Sequence, residues 1–404
     1  NATFTAAPPV TRSIDVTPLT EPVATTSPIV TTTLTFTTPG TLSNTAILTL
    51  GVPNLDYKSA TGSSCTAGTT YATGQTCTVA FTFTPTHPGL RAGGITLTDA
   101  AGNILSSTLL SGTGTGPQVT FTPGTQSVLT TTIPVPFGMA VDGNGNLFAA
   151  DAGNNTIKEF FAATNYTTSI TLPTPPGAFT YIYHIAIDGN GNLFTANEVS
   201  GPGGSVVEVF AAGGYSRVAT LAPGNPLIDG PEGLALDPAG NVYVTRVQTQ
   251  VGSANRILEI TAASNYTTVN PIAVSFVFPV ALNFDANGNM FVAAAGVNAI
   301  QELLAVNGTI PANPTIRSLP TNFTVPGGYN QPNDVALDGV GNLFVTDGNN
   351  VAYKVIASTG YTRAVLLSSG LNNPQGITTD ANGNVFIADE NNNRILRIDV
   401  SHAP

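Results

Sequence analysis

The sequence predicts an all-β protein, an N-terminal β-sandwich followed by a six-bladed β-propeller that an N-terminal strand closes. Three observations carry this. A stretch ending in Asp-x-x-Gly-Asn recurs six times between residues 118 and 404. Before it, residues 30 to 116 show short runs of apolar–polar alternation and no repeat. The composition fits both: of 404 residues only 9% are charged, against roughly 25% in ordinary soluble domains, and 42 Gly and 30 Pro supply turns.

Residues 1–29, "NATFTAAPPVTRSIDVTPLTEPVATTSPI", are rich in Pro and Thr and too poor in apolar side chains to form a core. The segment reads as extended, either the first strand of the sandwich or a strand added to a neighbouring molecule. The chain begins at Asn1 and not Met, from which a removed signal peptide is expected.

Residues 30–116 contain "TTTLTFTT", "NTAILTLGV", "CTVAFTFTPT", "GGITLTD" and "SSTLLSGTGT". Period-two patterning between turn signals predicts a small antiparallel sandwich. Cys65 and Cys77 are the only cysteines, separated by a Gly- and Thr-rich loop. They form either a disulfide, worth about 3 kcal/mol through restriction of the unfolded chain, or a pair of buried thiols. The disulfide reading implies an oxidising, extracellular or cell-surface location. Six Asn-x-Ser/Thr sequons, at Asn1, Asn154, Asn165, Asn265, Asn307 and Asn322, are open to glycosylation there.

Residues 117–404 carry the repeat, as "MAVDGNGNLFAA", "IAIDGNGNLFTA", "LALDPAGNVYVT", "LNFDANGNMFVA", "VALDGVGNLFVT" and "ITTDANGNVFIA". Asp142, Asp188, Asp237, Asp285, Asp338 and Asp380 mark the copies, 42 to 53 residues apart. Such a period points to a propeller with one four-stranded blade per copy. The first two strands of each copy are apolar almost throughout, as needed where both faces of a blade pack on neighbours. The Asp-x-Asn-x-Asn run at Asp142 resembles the start of a calcium loop. A loop of that kind needs Gly at its sixth position and an acid at its twelfth, where this chain has Leu147 and Gly153. The run therefore reads as a hairpin turn. The last copy ends at "RIDVSHAP" without a fourth strand. Since open sheet edges are avoided, residues 126 to 133 are expected to complete that blade and lock the ring.

The last copy, "PQGITTDANGNVFIADENNNRILRI", with Pro374, Gly376, Asp380, Gly383, Asn384, Asp389, Asn392, Arg394 and Ile395, resembles the NHL-repeat β-propellers. The second and fourth copies depart from that pattern at "EVSGPGGS" and "AAGVNA". Upstream, Cys77, Phe83, Pro85 and Gly112-Thr113-Gly114 resemble the immunoglobulin-like modules of bacterial secreted proteins.

By the repeat register the channel is lined by Phe137, Tyr183, Glu232, Val280, Asn333 and Gln375. Glu232, Asn333 and Gln375, with Asp334 beside them, are candidate oxygen ligands for a hard cation such as calcium. The set is similar to the channel metal site of the gluconolactonase group, which would imply a lactonase activity, but Phe137, Tyr183 and Val280 break the match. Asp151 with Asn154, and Asp389 with Asn392, read as holders of the next turn. His87, His184 and His402 lie in three different contexts, unlike a tri-histidine zinc site, and no nucleophile elbow, haem motif or phosphate loop is present.

The formal net charge of −11 with only 12 Lys+Arg makes nucleic acid an unsuitable partner. No apolar run reaches the roughly 18 to 20 residues of a membrane-spanning helix. No catalytic residue or resident cofactor is assigned. The expected function is that of a secreted, non-catalytic surface protein that binds other proteins and polymerises through residues 1–29. The alternatives are a calcium-dependent lactonase-like hydrolase and a glycan- or peptide-binding propeller.

Overall fold

The computed structural model describes residues 12–13, 18–116, 123–130, 133–198, 204–247, 256–274, 276–320 and 329–400. Asn1, Asn322, His402 and most of the third copy's loop "VQTQVGSA" lie outside them.

The N-terminal unit is built of two facing sheets. One is ordered Arg12–Ser13, Ile104–Thr115, Gly89–Thr98, Asn44–Thr49 and Val52–Pro53, and Leu19–Pro22 also pairs with Ile104–Thr115. The other is ordered Val30–Thr35, Thr76–Phe83 and Tyr57–Ser59. Alternation in the sequence becomes alternation in burial: along Val30–Thr35, Thr32 and Leu34 point inward while Thr31, Thr33 and Thr35 face water. Leu34, Phe36, Tyr57, Phe81, Phe83, Ile95, Leu97 and Leu110 fill the core between the sheets. Cys65 and Cys77 are joined in a disulfide, with Cα atoms 5.0 Å apart. Asp56 is fully buried and is satisfied by Arg91 and by the Thr86 hydroxyl and N–H. Leu19–Pro22 runs parallel to Ile104–Thr115, with Leu19 opposite Gly112, so this part of the N-terminal segment is a strand of its own sandwich.

Six antiparallel four-stranded blades follow, with first strands Pro136–Val141, Ile182–Ile187, Pro231–Leu236, Pro279–Phe284, Pro332–Leu337 and Pro374–Thr379. The second strands are buried along almost their whole length, as in Leu147–Asp151 and Leu343–Asp347, which is why they read as continuous apolar runs. The sixth blade takes its fourth strand from Pro123–Thr130, which pairs with Arg394–Val400. The ring is thus closed where the unfinished last copy requires it.

Each Asp-x-x-Gly-Asn stretch is a hairpin turn. Asp142 Oδ1 accepts the N–H groups of Asn144 and Asn146, and its Oδ2 accepts the Asn146 amide. Asn146 in turn accepts the Ala162 N–H, fixing the loop between the third and fourth strands. A tyrosine, buried at 166 and 266 and half-buried at 215 and 361, completes four of these corners: Tyr166, Tyr215, Tyr266 and Tyr361 donate to the carbonyls of Gly145, Gly191, Gly240 and Gly341. In two of them the tyrosine follows a left-handed asparagine, Asn165 or Asn265, so these two sequons coincide with a structural corner.

The same turns carry the sandwich. Gly143 N–H donates to the Leu50 carbonyl and Gly51 N–H to the Gly189 carbonyl. Asn190 accepts from Thr96 Oγ1 at 3.0 Å and donates to the Thr108 carbonyl at 3.4 Å. His87 reaches Asn382 at 3.3 Å. A Cβ on Gly189 would overlap the Gly93 carbonyl, and one on Gly339 the Pro88 carbonyl, so backbone meets backbone at both points. Leu50 and Leu90 border two cavities of about 150 Å³ each, shared with Ile187 and Leu236 on one side and with Val141, Leu337 and Thr379 on the other. These five residues end the first strands of five blades. The sandwich therefore seats over one end of the channel.

Candidate functional site

At the opposite end, each innermost strand is entered through a left-handed residue: Val135, Tyr181, Gly230, Phe278, Gln331 and Asn373, with φ between 45° and 58°. Five of the six carry side chains, and such residues persist only where their surroundings hold them. The preceding blade supplies that hold. Asn393, Asn155, Asn298 and Asn350 accept the N–H groups of Val135, Tyr181, Gln331 and Asn373 at 2.6 to 3.1 Å. The fourth copy, which departs from the repeat in sequence, keeps this link through Asn298. Asp151 and Asp389 hold the turns before it, accepting from Asn154 and Asn392, and Asp389 also from Arg394.

The channel-lining residues follow two positions later. Phe137, Tyr181 and Tyr183 form an aromatic group with centroids 4.6 Å apart for Phe137 and Tyr183, 5.4 Å for Phe137 and Tyr181, and 6.3 Å for the two tyrosines. Three carboxyls adjoin it. Glu232 is 9% exposed and accepts no hydrogen bond from the described residues. Burial, and then the neighbouring Glu198 carboxylate, push it up to about 8. The Tyr183 phenol is raised by burial and then by Glu232, Glu198, Tyr181 and Glu390. Burial also raises Glu198. Glu390 accepts from Gln375 Nε2 at 3.1 Å and from the Asn373 amide.

Asn333, the second member of the oxygen set, donates its amide to the Pro374 carbonyl at 2.8 Å. Gln375 is turned to Glu390, so of this set, spread over blades three, five and six, the two amides are engaged and the Glu232 carboxyl is not. Among the described residues, no three His, Cys, Asp or Glu side chains gather closely enough to hold one metal ion. Asp334 sits deeper. Its carboxylate accepts the N–H groups of Val335 and Ile377 and lies 3.5 Å from His184 Nε2, across the axis. His184 thus belongs to the channel, whereas His87 belongs to the junction with the sandwich.

Tyr181, Glu198 and Glu390 escaped the sequence reading. Glu198 and Glu390 each follow the last residue of a second strand, and Tyr181 immediately precedes a first strand. Their place in the repeat was the available signal, but they fall outside the innermost positions that register alone picks out.

The NHL repeat family matches residues 371–398. A search among curated proteins returns no match. Among solved structures, the chain is similar to the gluconolactonase XC5397 from Xanthomonas campestris, with a TM-score of 0.54 at 13% identity over 71% of this chain and 98% of that one. It is similar to a streptogramin B lyase, with a TM-score of 0.50 at 14% identity over 69% and 98%. It is similar also to the calcium-binding protein regucalcin from Agrobacterium tumefaciens, with a TM-score of 0.50 at 13% identity over 69% and 94%. At these identities the likeness is one of fold. From Pro123 to Val400 the chain is a six-bladed propeller containing an NHL repeat, preceded by a β-sandwich.

Proposed function

We propose that the protein is an extracellular binding propeller. The channel end away from the sandwich receives a protruding group of a glycan or peptide, and the sandwich supports the ring and contacts other proteins. The observation that carries this reading is Glu232, nine-tenths buried, beside an aromatic group and without a hydrogen bond from the described residues. Burial disfavours the ionised form of this carboxyl, and a ligand donating to it would stabilise that form. Holding, not conversion, is favoured because Asn333, Gln375 and His184 are each engaged by their own neighbours. The disulfide supports an oxidising location. The two facing sheets support an immunoglobulin-like reading of the sandwich. The test is a glycan and peptide array probed with the parent and with Glu232→Gln. Hits lost in the variant are expected, and a parent without hits ends the reading.

Two further readings each rest on one observation. The common level of Glu232, Asn333 and Gln375, each second in its innermost strand, favours calcium, which the carboxyl and the two amide carbonyl oxygens would hold. The ion would supply charge to polarise a lactone carbonyl. Equilibrium dialysis and a lactone panel on the parent and Glu232→Ala test this, and a parent with neither metal nor activity removes it. Parallel pairing of Leu19–Pro22 on the edge strand favours assembly, since the same segment from a neighbour would occupy the same register. An unchanged size distribution after deletion of residues 1–29 would remove that reading.

A further inference from the structure

We propose that the channel mouth is a site for an organic ammonium group, held against the rings of Phe137, Tyr181 and Tyr183 by Glu198, Glu232 and Glu390. This rests on the reading of the mouth as a ligand site and names the chemistry it takes.

Two independent features meet here. The first is placement: Glu198 and Glu390 follow the second strands of blades two and six, and Glu232 stands second in the innermost strand of blade three, at the end where Phe137, Tyr181 and Tyr183 pack together. The nearby guanidinium of Arg246 faces Asp229 at 3.6 Å. The second is the Glu232 side chain, nine-tenths buried and without a hydrogen bond from the described residues. Burial disfavours the charged form of such a carboxyl, and a cation beside it would restore that form and pair with it.

Size selects the kind of cation. A calcium ion takes six to eight oxygens at about 2.3–2.6 Å, yet these carboxyls come from blades two, three and six and do not gather on one point. Between them lie aromatic rings, two of them 4.6 Å apart. Ring faces attract cations through their quadrupole, and an alkylammonium spreads its charge over methyl or methylene groups that fit against them. Tyr181, 40% exposed, gives the group a way in. Such an ammonium is carried by a small amine or by a peptide amino terminus.

The experiment is titration calorimetry on the full chain with choline, with its neutral isostere 3,3-dimethylbutanol, and with a lysine-free tetrapeptide in free and N-acetylated forms. Choline is expected to bind at least about tenfold more tightly than the isostere. Glu232→Gln and Tyr181→Leu are each expected to weaken it by about tenfold or more, while Glu21→Gln on the sandwich leaves it unchanged. Should Glu232→Gln fail to fold, Tyr181→Leu and Glu390→Gln carry the test. A free tetrapeptide that outbinds both choline and its acetylated form identifies a peptide terminus as the source. The reverse order identifies a small amine. The proposal is overturned if neither amine binds, if the isostere binds as well, or if binding survives the mouth substitutions. It is also overturned if calcium binds there and excludes choline. Neutral sugars bound at the mouth without any amine would overturn it and leave the broader reading of the mouth standing.

Discussion

His184 Nε2 lies 3.5 Å from Asp334 Oδ1, a contact that joins blades two and five across the propeller axis. The four other residues at this level are Gly138, Gly233, Ala281 and Gly376, so the pair fills a ring otherwise made of small side chains. Gly138 and Gly376 need to be small, because a Cβ there would run into the next blade's innermost strand. The two exceptions face each other. His184→Ala is expected to lower stability by about 1–3 kcal/mol by leaving the buried Asp334 with only the Val335 and Ile377 N–H groups. A double-mutant cycle with Asp334→Asn, read by denaturant unfolding, should show coupling, and additive losses would refute the link.

The asparagine links between blades make a second prediction. Asn155→Ala removes the acceptor for the left-handed Tyr181 N–H, and Asn350→Ala does the same at Asn373. Each is expected to cost about 1 kcal/mol. The two sites share no partner, so their effects in thermal melts should add.

The junction of sandwich and propeller depends on close backbone approach. Gly189→Val would place two methyl groups where the Gly93 carbonyl now sits. The expected outcome is undocking with both units folded, seen as a larger radius of gyration in small-angle scattering with unchanged circular dichroism. An unaltered radius would show that the junction does not rest on this contact.

Two buried acids set a pH dependence. Burial raises Asp237 to about 6 against the hydrogen bonds from Asn241, and burial with Glu198 raises Glu232 to about 8. Both folded values lie above the unfolded ones, so the folded state holds these protons more tightly. The associated stability is full below about pH 4 and falls as pH rises, through about 6 for Asp237 and about 8 for Glu232, by at most about 1.4 kcal/mol per pH unit for each group. Glu232→Gln should flatten the fall between about pH 6 and 8, and an unchanged slope would assign it elsewhere.

Much of this was readable in the residues. The Asp142-to-Asn146 turn is a contact over four positions, and its six copies announce the blades without reference to anything distant. The truncated last copy calls for a closing strand at residues 126 to 133, which the structure sets three residues earlier at Pro123–Thr130, and the spacing of Cys65 and Cys77 suits their bond. Less legible was the role of the turn's middle positions. "GN", "PA" and "GV" look like free variation, yet Gly143, Gly189 and Gly339 are where the sandwich backbone comes closest. A glycine chosen for the space it leaves has no partner side chain in the sequence to betray it.

By itself the sequence determined the number of blades, the strand that closes them and the level at which side chains line the channel, because these follow from local periodicity repeated along the chain. Only the tertiary structure decided which lining residues meet. Rotation from blade to blade brings Tyr181, Glu198, Glu232 and Glu390 around one mouth and sets His184 opposite Asp334. It also aims the other end of the ring at Leu50 and Leu90. Such encounters depend on angles accumulated over whole blades, and no spacing within a single copy records them.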